Sequence, residues 1–515
     1  MPSPFLNFKK NPILSGAAVL TLAGFLSRII GFFYRIFLSQ RIGAEGMGVY
    51  QLIFPVFGIC FSLCCGPVQT AVSRYVAAQN ALLPKSRPGQ SRPAGSYSPE
   101  SVLRAGLLLS FSLACACAAL LYGGSEFIAD RILLEARCGQ LLRLMSLTIP
   151  ICSVHCCISG YYYGLQRASI PAFAQLAEQA ARVLSVFLVC SVLTDEGRQP
   201  TAAVAVWGMV CGELASLFFS GTAFLLRKRA GKATASTFYY LPKILALAVP
   251  LAATRLCISL LQGGEAVLIP SRLQMHGMTD SQALGVYGVL TGMAYPFILF
   301  PTAVINSVAV MLLPDMAQSQ SAGNQERIDI TTSRTITCSL YLGILCTGLF
   351  LFFGDEMGER LFSSALAGSY ITTLSWLCPF LYLSTTLGSI LNGLGQTRTT
   401  FCHNVVSLIS QLLFVLFLVP AIGIRGYLYG LLFGQLLLTV LHLFAVRRCV
   451  HIRYHALHHL IRPMGALGIA ALAAEKITEA AVAPVIAQPV MQLCISCGIL
   501  TAVYGGLLLG SRGKG

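Results

Sequence analysis

Long apolar segments recur along nearly the whole chain, and they restrict its fold more than any other feature. A helix needs about 20 mostly apolar residues to cross a bilayer, where all its backbone groups must bond within the structure. Of the 515 residues, 56% are hydrophobic and 10% are charged, which is too few charges for a soluble surface. We therefore predict an all-α, polytopic membrane protein with fourteen transmembrane helices.

The predicted spans are bounded by charged or turn-forming residues. They lie near residues 13–38, 49–72, 102–123, 141–164, 170–193, 202–226, 243–263, 283–312, 335–353, 370–394, 400–419, 426–446, 463–474 and 485–509. Lys and Arg are concentrated in the loops that share a side with the N-terminus, whereas Asp and Glu prevail in the other loops. Basic residues are retained on the cytoplasmic side, so both termini of this multi-pass plasma-membrane protein are predicted to be cytoplasmic.

An internal repeat relates the first six spans to the next six. Ser146, Pro150 and Gly164 of the fourth span return at the same spacing in the tenth, as Ser375, Pro379 and Gly393. Shorter matches pair Gly208-xxx-Gly212 with Gly430-xxx-Gly434, Gly48 with Gly285 and, more loosely, Arg28 with Arg255. We predict an N-terminal lobe at 1–232, a C-terminal lobe at 233–450 and two additional helices within 451–515.

Each repeat contains an even number of helices, so both copies should have the same orientation in the membrane. They are then related by an axis along the membrane normal, and transporters built in this way bind their substrates between the lobes. We therefore expect the functional site between the two lobes.

Charged residues inside the predicted spans are the main candidates for function, because they are costly in lipid. They are Arg28, Arg35, Glu178, Arg182, Glu213, Arg255 and Glu265. Arg28 and Arg35 are seven residues apart, so both project from one face of the first helix. Arg28, Arg35 and Arg255 are predicted to line a cationic cavity, because arginine suits phosphate and pyrophosphate oxygens. For Arg35, an extended side chain that reaches the membrane interface is an equal alternative.

The acidic residues in the spans have structural interpretations that compete with a role in the cavity. Glu178 and Arg182 are four residues apart and can form an ion pair on one helix face, which is favoured over contact with substrate. Glu265 is placed near the outer end of its span, where it either gates the cavity or faces water. Glu213 follows Gly208-xxx-Gly212, a pattern typical of close helix packing.

The 19 cysteines lie mostly in apolar segments and are interpreted as small buried side chains, with neither disulfides nor a metal site. A basic loop at 447–462 contains four histidines, which are His451, His455, His458 and His459. Three of them share a helical face, so a metal site is one interpretation of this loop. A basic segment lying against the anionic inner leaflet is the favoured one, and no metal ligand is predicted.

Enzymes and nucleic-acid-binding proteins are disfavoured. The net charge is +16, but the basic residues flank apolar runs and form no basic domain. The chain also lacks a glycine-rich phosphate loop with its lysine, so direct use of ATP is not expected. These absences leave transport as the predicted class of function.

Several motifs resemble one family of membrane transporters. They are Leu22-Ala-Gly-Phe-Leu-Ser-Arg-Ile-Ile-Gly31, Ile42-Gly-Ala-Glu-Gly-Met-Gly-Val-Tyr50, Glu178-Gln179 with Arg182, Ile269-Pro-Ser-Arg-Leu273, Gly285-Val-Tyr-Gly-Val-Leu-Thr-Gly-Met293 and Asn392-Gly-Leu-Gly395. Over spans one to twelve, the chain resembles the stage V sporulation protein B group. That group belongs to the polysaccharide-transporter branch of the MATE-like (MOP) superfamily, near the MurJ-type lipid II flippases.

The resemblance implies a two-lobed, fourteen-helix flippase of undecaprenyl-pyrophosphate-linked oligosaccharides that works by alternating access. It matches Arg28 to the first-helix arginine of the cationic cavity in MurJ-like proteins, and Arg255 to a cavity arginine of the second lobe. Arg35 is one position from a second arginine of that pattern, and the arginine expected in the second helix has no match. The last two spans are expected to form a groove for the isoprenoid tail.

Two other functions remain open from the sequence. One is a cation-coupled multidrug exporter of the MATE type, and the other is a non-transporting membrane scaffold for envelope or spore synthesis. The expected partners are a lipid-linked oligosaccharide, membrane lipids and envelope-synthesis enzymes, without nucleic acid. No cofactor is expected, and the energy source is predicted to be the membrane potential or a gradient of Na⁺ or H⁺.

Overall fold

A computed structural model describes residues 12–82, 99–227, 237–451, 460–482, 484, 486 and 488–510. In this part of the chain the secondary structure is helical, with short π and 3₁₀ segments and no strand. The predicted all-α, polytopic membrane fold is confirmed. Backbone contacts divide the chain into two compact units. The first unit comprises Met1–Tyr34 and Val49–Val267, and the second comprises Arg35–Gly48 and Leu268–Gly515.

The helices of the first unit are numbered in chain order. They are α1 (Pro12–Leu52, which continues into the second unit), α2 (Phe54–Cys64), α3 (Gly66–Leu82), α4 (Pro99–Gly123), α5 (Ser125–Phe127), α6 (Cys138–Ser146), α7 (Thr148–Gly164), α8 (Ser169–Asp195), α9 (Ala202–Leu225) and α10 (Thr237–Met275, which also continues into the second unit). A π-helical turn, Ile128–Leu133, follows α5.

Helix α7 is central to the first unit, because it packs against α3, α4 and α9. The apolar core around it includes Val72, Leu103, Cys157 and Tyr240, all of which are almost fully buried. Helices α8 and α9 form a closely packed pair beside α7. Burial of these apolar side chains stabilises the unit against conformational entropy.

The second unit contains the remaining helices. They are α11 (Asp280–Gly288), α12 (Tyr295–Leu299), α13 (Thr302–Ser321), α14 (Gln325–Phe362), α15 (Ala365–Leu374), α16 (Cys378–Gly393), α17 (Thr397–Ile422), α18 (Ile424–Cys449), α19 (Arg462–Ile477) and α20 (Pro489–Gly510). A π segment, Val289–Ala294, joins α11 to α12, and another, Thr478–Val482, follows α19. A 3₁₀ turn, Ser375–Leu377, joins α15 to α16.

The segment of α1 in the second unit contacts α11 at unusually short range. A Cβ atom on Gly288 would lie 2.1 Å from the carbonyl oxygen of Ala44, and one on Gly48 would lie 2.1 Å from that of Leu284. Only glycine allows the two backbones to approach this closely. Gly43 has a φ of 71°, so it interrupts the regular helical path of α1 just before this contact.

Both units use the same packing scheme, as expected from the internal repeat. In the first unit α7 packs against α3, α4 and α9, and in the second unit α16 packs against α13, α14 and α18. The tight pair α8 and α9 likewise has its counterpart in α17 and α18. The sequence repeat therefore corresponds to a repeat of helix contacts.

The break before each repeated proline is also shared by the two units. The helix is interrupted at Leu147 before Pro150, and by the 3₁₀ turn before Pro379. In each unit a serine hydroxyl donates to the carbonyl three residues earlier, over 2.7 Å, from Ser146 to Arg143 and from Ser375 to Thr372. A proline lacks the amide proton that would continue the regular helix, which explains the break.

Twelve helical segments of the described residues are long and apolar enough to cross a membrane. The first of them, Val19–Ala78, is 60 residues long, overlaps the first predicted span and contains the second. The thirteenth predicted span, 463–474, falls in α19, which has only 16 residues. The number of fourteen transmembrane helices therefore stays a prediction.

The two additional C-terminal helices belong to the second compact unit. Helices α19 and α20 pack against each other and against α14. Tyr504 is buried there and donates a hydrogen bond to the carbonyl of Tyr341 over 3.0 Å. Thr478, in the π segment that follows α19, and Ser496 of α20 form a hydroxyl contact of 2.8 Å.

Candidate functional site

The first helix of the first unit presents two different surfaces. Ala23, Ser27 and Tyr34 are buried, whereas Arg28 is exposed and Arg35 is half-buried. On the same helix, a Cβ atom built on Gly31 would lie 3.9 Å from the amide oxygen of Gln179 in α8. Arg28 therefore projects away from the stripe that is packed inside the first unit, whereas Arg35 is the first residue of α1 that belongs to the second unit.

Arg255 is exposed on α10 and rests against α3. Its guanidinium occupies the space beside Gly66, where an added Cβ would lie 2.2 Å from Nη1. One turn along α10, the Ser259 hydroxyl is 2.8 Å from that of Ser62 in α2. The absence of a side chain at Gly66 therefore leaves room for the arginine in this orientation.

Glu178 and Arg182 form an ion pair on α8. An Arg182 Nη2 donates to Oε1 of Glu178 over 2.5 Å, and both side chains are largely buried. Helix α9 crosses this pair at Gly212, where an added Cβ would lie 2.9 Å from the carbonyl oxygen of Glu178. The glycine motif of α9 does pack closely, as the sequence suggested.

A second polar pair, which the sequence did not reveal, lies between α7 and α9. Nε2 of His155 is 2.9 Å from Oε2 of Glu213, and Nδ1 of His155 is 3.2 Å from the hydroxyl of Ser216. Both His155 and Glu213 are largely buried. The sequence pattern assigns Glu213 to a packing motif and does not identify His155 as a candidate. The available sequence signal was a histidine inside an apolar span.

The two polar pairs of the first unit form one buried cluster. Arg182 interacts electrostatically with Glu213 as well as with Glu178. Ligand atoms of His155, Glu178 and Glu213 all lie within 4.8 Å of one another. We refer to His155, Glu178, Arg182 and Glu213 as the charged cluster.

The second unit has neutral residues at the positions of the charged cluster. Ser384 and Gln435 correspond to His155 and Glu213, and the amide of Gln435 donates a hydrogen bond to the Ser384 hydroxyl. Ser407 and Gln411 correspond to Glu178 and Arg182, and their hydrogen bond is 3.2 Å long. The same helix contacts thus contain charges in one unit and neutral polar groups in the other.

Glu265 of α10 is buried, with 7% of its surface exposed. Of the histidine-rich loop, His451 is exposed, and its amide donates to the Asp329 carboxylate over 3.1 Å. Residues 452–459, including His455, His458 and His459, lie outside the described residues.

Apart from Arg182, which is buried in its ion pair with Glu178, the embedded charges of the first unit differ in exposure according to their sign. The carboxylates of Glu178, Glu213 and Glu265 are largely buried, whereas Arg28 and Arg255 are exposed. Buried carboxylates interact with neighbours inside the unit, as the two pairs above show. Among these five side chains, the exposed ones are therefore positively charged.

The chain matches the model of the polysaccharide biosynthesis protein family over residues 13–320, and that of the MatE family over residues 273–417. It is 23% identical to stage V sporulation protein B of Bacillus subtilis (strain 168) over 457 residues, which cover 86% of this chain and 85% of that protein. It is 20% identical to the lipid II flippase MurJ of the same organism over 463 residues, covering 83% and 82% of the two chains.

Solved structures show the same fold. The inward closed conformation of a lipid II flippase MurJ matches with a TM-score of 0.70 and 13% identity, covering 95% of this chain and 98% of that one. An inward-facing multidrug resistance MATE transporter of the MOP superfamily matches with a TM-score of 0.67 and 14% identity, covering 84% and 97%. The two MurJ proteins are named as lipid II flippases, and the MATE structure is that of a transporter. With more than half of its length matched, the chain belongs to the polysaccharide biosynthesis protein family.

Proposed function

We propose that this chain is a flippase of lipid-linked oligosaccharide. Its substrate would be an undecaprenyl-pyrophosphate-linked sugar, lipid II or a related precursor of cell-envelope glycans, moved across the cytoplasmic membrane by alternating access. Membership of the family and the similarity to a lipid II flippase support this proposal. The observation that carries it is the sorting of embedded charges, with Arg28 and Arg255 exposed and the carboxylates buried.

The cost of an arginine in lipid argues for a cavity. An arginine at the centre of the hydrocarbon costs at least ~2.5 kcal/mol, so a side chain exposed there must meet water or an anion. Arg28 is exposed within a long apolar segment, and Arg255 is exposed within another. A guanidinium offers paired donors that fit the oxygens of a pyrophosphate. Arg28, Arg35 and Arg255 are accordingly proposed as the groups that bind the pyrophosphate.

Several parts of the proposal rest on the sequence. Both termini are placed in the cytoplasm because of the distribution of Lys and Arg. The energy source is proposed to be the membrane potential or a gradient of Na⁺ or H⁺, and envelope-synthesis enzymes are proposed as further partners. Helices α19 and α20 are proposed to contact the isoprenoid tail, and the exposed apolar side chains of Met464, Ile469 and Leu472 suit that role.

A flipping assay with purified protein in liposomes tests this function. The wild type should move a fluorescent undecaprenyl-pyrophosphate sugar between leaflets, and the Arg28→Ala, Arg255→Ala double variant should be at least about 10-fold slower. Arg198→Ala is the matched control, because Arg198 is an exposed arginine in a loop, 3.5 Å from Glu196. Equal rates for the wild type and the double variant would overturn the mechanism.

Two further experiments distinguish a flippase from the exporter and from the scaffold. Efflux of a cationic drug that is abolished by Glu178→Gln would replace the proposal with a cation-coupled exporter. Complementation of a deletion strain by the double arginine variant, but not by variants of the cytoplasmic loops, would replace it with a scaffold.

A further inference from the structure

Three potential metal ligands lie on one face of α7. Cys152, His155 and Cys156 are spaced i, i+3 and i+4, which brings their side chains together on a helix. The Sγ atoms of Cys152 and Cys156 are 3.8 Å apart, and Nε2 of His155 is 3.9 Å from Sγ of Cys156. All three ligand atoms lie within 4.8 Å of one another, and both cysteines are buried.

A candidate fourth ligand, Glu213, lies beside His155 on the neighbouring helix α9. Oε2 of Glu213 is 2.9 Å from the same Nε2 atom of His155 that faces Cys156. Despite this short distance, Oε2 is buried and forms no hydrogen bond of acceptable geometry with the described residues. Glu213 is 6% exposed, so water offers little compensation for this oxygen. A carboxylate oxygen in this situation is suited to a cation.

Three of the separations among these four atoms are close to those of a tetrahedral site. A zinc ion with bonds of about 2.3 Å to sulfur and about 2.0 Å to nitrogen or oxygen places its ligand atoms roughly 3.3 to 3.8 Å apart. The three measured separations are 3.8, 3.9 and 2.9 Å. The two thiols and the imidazole lie within 4.8 Å of one another, and Glu213, which lies beside the imidazole, has to turn toward the two sulfur atoms to complete the site.

The surroundings of His155 also suit a metal ligand. Its Nδ1 atom is 3.2 Å from the Ser216 hydroxyl. A hydrogen bond donated by Nδ1 leaves the lone pair of Nε2 for the metal, which is the usual arrangement around a ligating histidine. Arg182 interacts electrostatically with Glu213 and can offset part of the negative charge of two thiolates and a carboxylate.

The second unit provides an internal comparison. The positions that correspond to Cys152, His155, Cys156 and Glu213 are occupied by Leu381, Ser384, Thr385 and Gln435. The fold of this repeat therefore forms without thiols, imidazole or carboxylate at these positions. The packing of α7 against α9 does not by itself require these four side chains.

We propose that Cys152, Cys156, His155 and Glu213 bind a thiophilic divalent cation of the zinc class within the first unit. Two sulfur ligands select such a metal over Mg²⁺ and Ca²⁺, which prefer oxygen. Binding displaces the two thiol protons to solvent and involves no transfer of electrons. The ion links α7 to α9 and fixes the helix contact beside the ion pair of α8.

The test is metal binding by the purified full-length protein, with Zn²⁺ and Co²⁺ as the probes. After removal of metal by a chelator, the wild type should rebind about one Zn²⁺ per chain. The zinc content is measured by elemental mass spectrometry. Co²⁺ should produce the intense visible absorption of a tetrahedral site, together with a sulfur-to-cobalt charge-transfer band. Zn²⁺ should also raise the thermal unfolding temperature of the wild type.

Two variants with paired substitutions distinguish this site from adventitious thiol binding. Cys152→Ser, Cys156→Ser should lose the cobalt spectrum and bind zinc at least about 10-fold more weakly. Loss of even the outer partners of metal ligands typically costs about 10- to 100-fold in affinity. The matched control is Cys346→Ser, Cys378→Ser, which alters two buried cysteines of the second unit and should retain both signals.

Three outcomes would overturn the proposal. They are a wild type without the charge-transfer band, equal zinc binding by the wild type and the Cys152→Ser, Cys156→Ser variant, and loss of binding in the control. If the double cysteine variant does not fold, Glu213→Gln provides the comparison, and it must weaken zinc binding while the protein stays monodisperse. The measured quantity is bound metal, so the result does not depend on flippase activity.

Discussion

Nε2 of His155 lies 2.9 Å from Oε2 of Glu213, in a contact between two apolar helices of the first unit. In the second unit, the same two positions are Ser384 and Gln435, which form a neutral hydrogen bond. The duplicated helix contact therefore exists in one chain with two different chemistries. This relationship makes the second unit a template for substitutions in the first.

Exchange of this pair for its neutral counterpart tests how much the charges contribute to stability. His155→Ser alone should lower the free energy of unfolding by about 3 kcal/mol, because it leaves the Glu213 carboxylate buried without its partner. The double variant His155→Ser, Glu213→Gln should recover most of that loss. Thermal unfolding in detergent with a chelator present measures both effects, and equal losses for the single and double variants would contradict the prediction.

Loss of Arg28 should weaken binding of the pyrophosphate. Native mass spectrometry with an undecaprenyl-pyrophosphate sugar should show at least about 10-fold weaker binding by Arg28→Ala, since one charge-assisted hydrogen bond is worth about 1.5 kcal/mol or more. Arg28→Lys should retain part of the affinity, because it keeps the charge without the paired donors. Unchanged binding by Arg28→Ala would move the anion site to other residues.

The orientation of Arg255 should depend on Gly66. In Gly66→Ala the added Cβ would lie 2.2 Å from Nη1 of Arg255, so the guanidinium must move. The moving group is the end of a flexible side chain, so we expect a change of less than about 1 kcal/mol in stability but slower flipping. Gly58→Ala is the control, because its added Cβ has nothing within 4 Å. Normal flipping by Gly66→Ala would indicate that this position of Arg255 is not needed.

The contact between α1 and α11 in the second unit should not tolerate a side chain. Gly288→Ala would place Cβ 2.1 Å from the carbonyl oxygen of Ala44, and the backbones must separate. We expect a loss of about 2 kcal/mol in stability, measured as a lower unfolding temperature. Gly285→Ala, on the same helix, has open space for its Cβ and should unfold like the wild type. Equal unfolding temperatures for the two variants would contradict the close approach.

Much of the fold follows from patterns that are local in the sequence. Apolar runs of sufficient length predict membrane helices, because a spanning helix satisfies its own backbone hydrogen bonds. The repeated serine and proline of the fourth and tenth spans indicate a duplication, and in the structure both spans have a helix break at the same place. The number of spans does not follow from apolar runs alone where a helix is shorter than the about 20 residues needed to cross a bilayer, as in the 16-residue α19.

The candidate site was only partly accessible from the sequence. Arg28 and Arg255 could be identified because a single charge in an apolar run is recognisable without knowledge of its neighbours. His155 could not be assigned a partner in this way, because Glu213 is on another helix. Whether α7 meets α9 is decided by packing along the whole length of both helices.

The sequence by itself therefore determined the helical membrane fold, the duplication and the arginines embedded in apolar helices. Each of these depends on hydrophobicity, charge or spacing along one stretch of chain. Only the tertiary structure decided that His155, which adjoins Cys152 and Cys156, meets Glu213, and that the corresponding contact in the second unit is neutral. Such contacts arise from the crossing of helices that are distant in sequence, where side-chain volume and glycine positions set which faces touch.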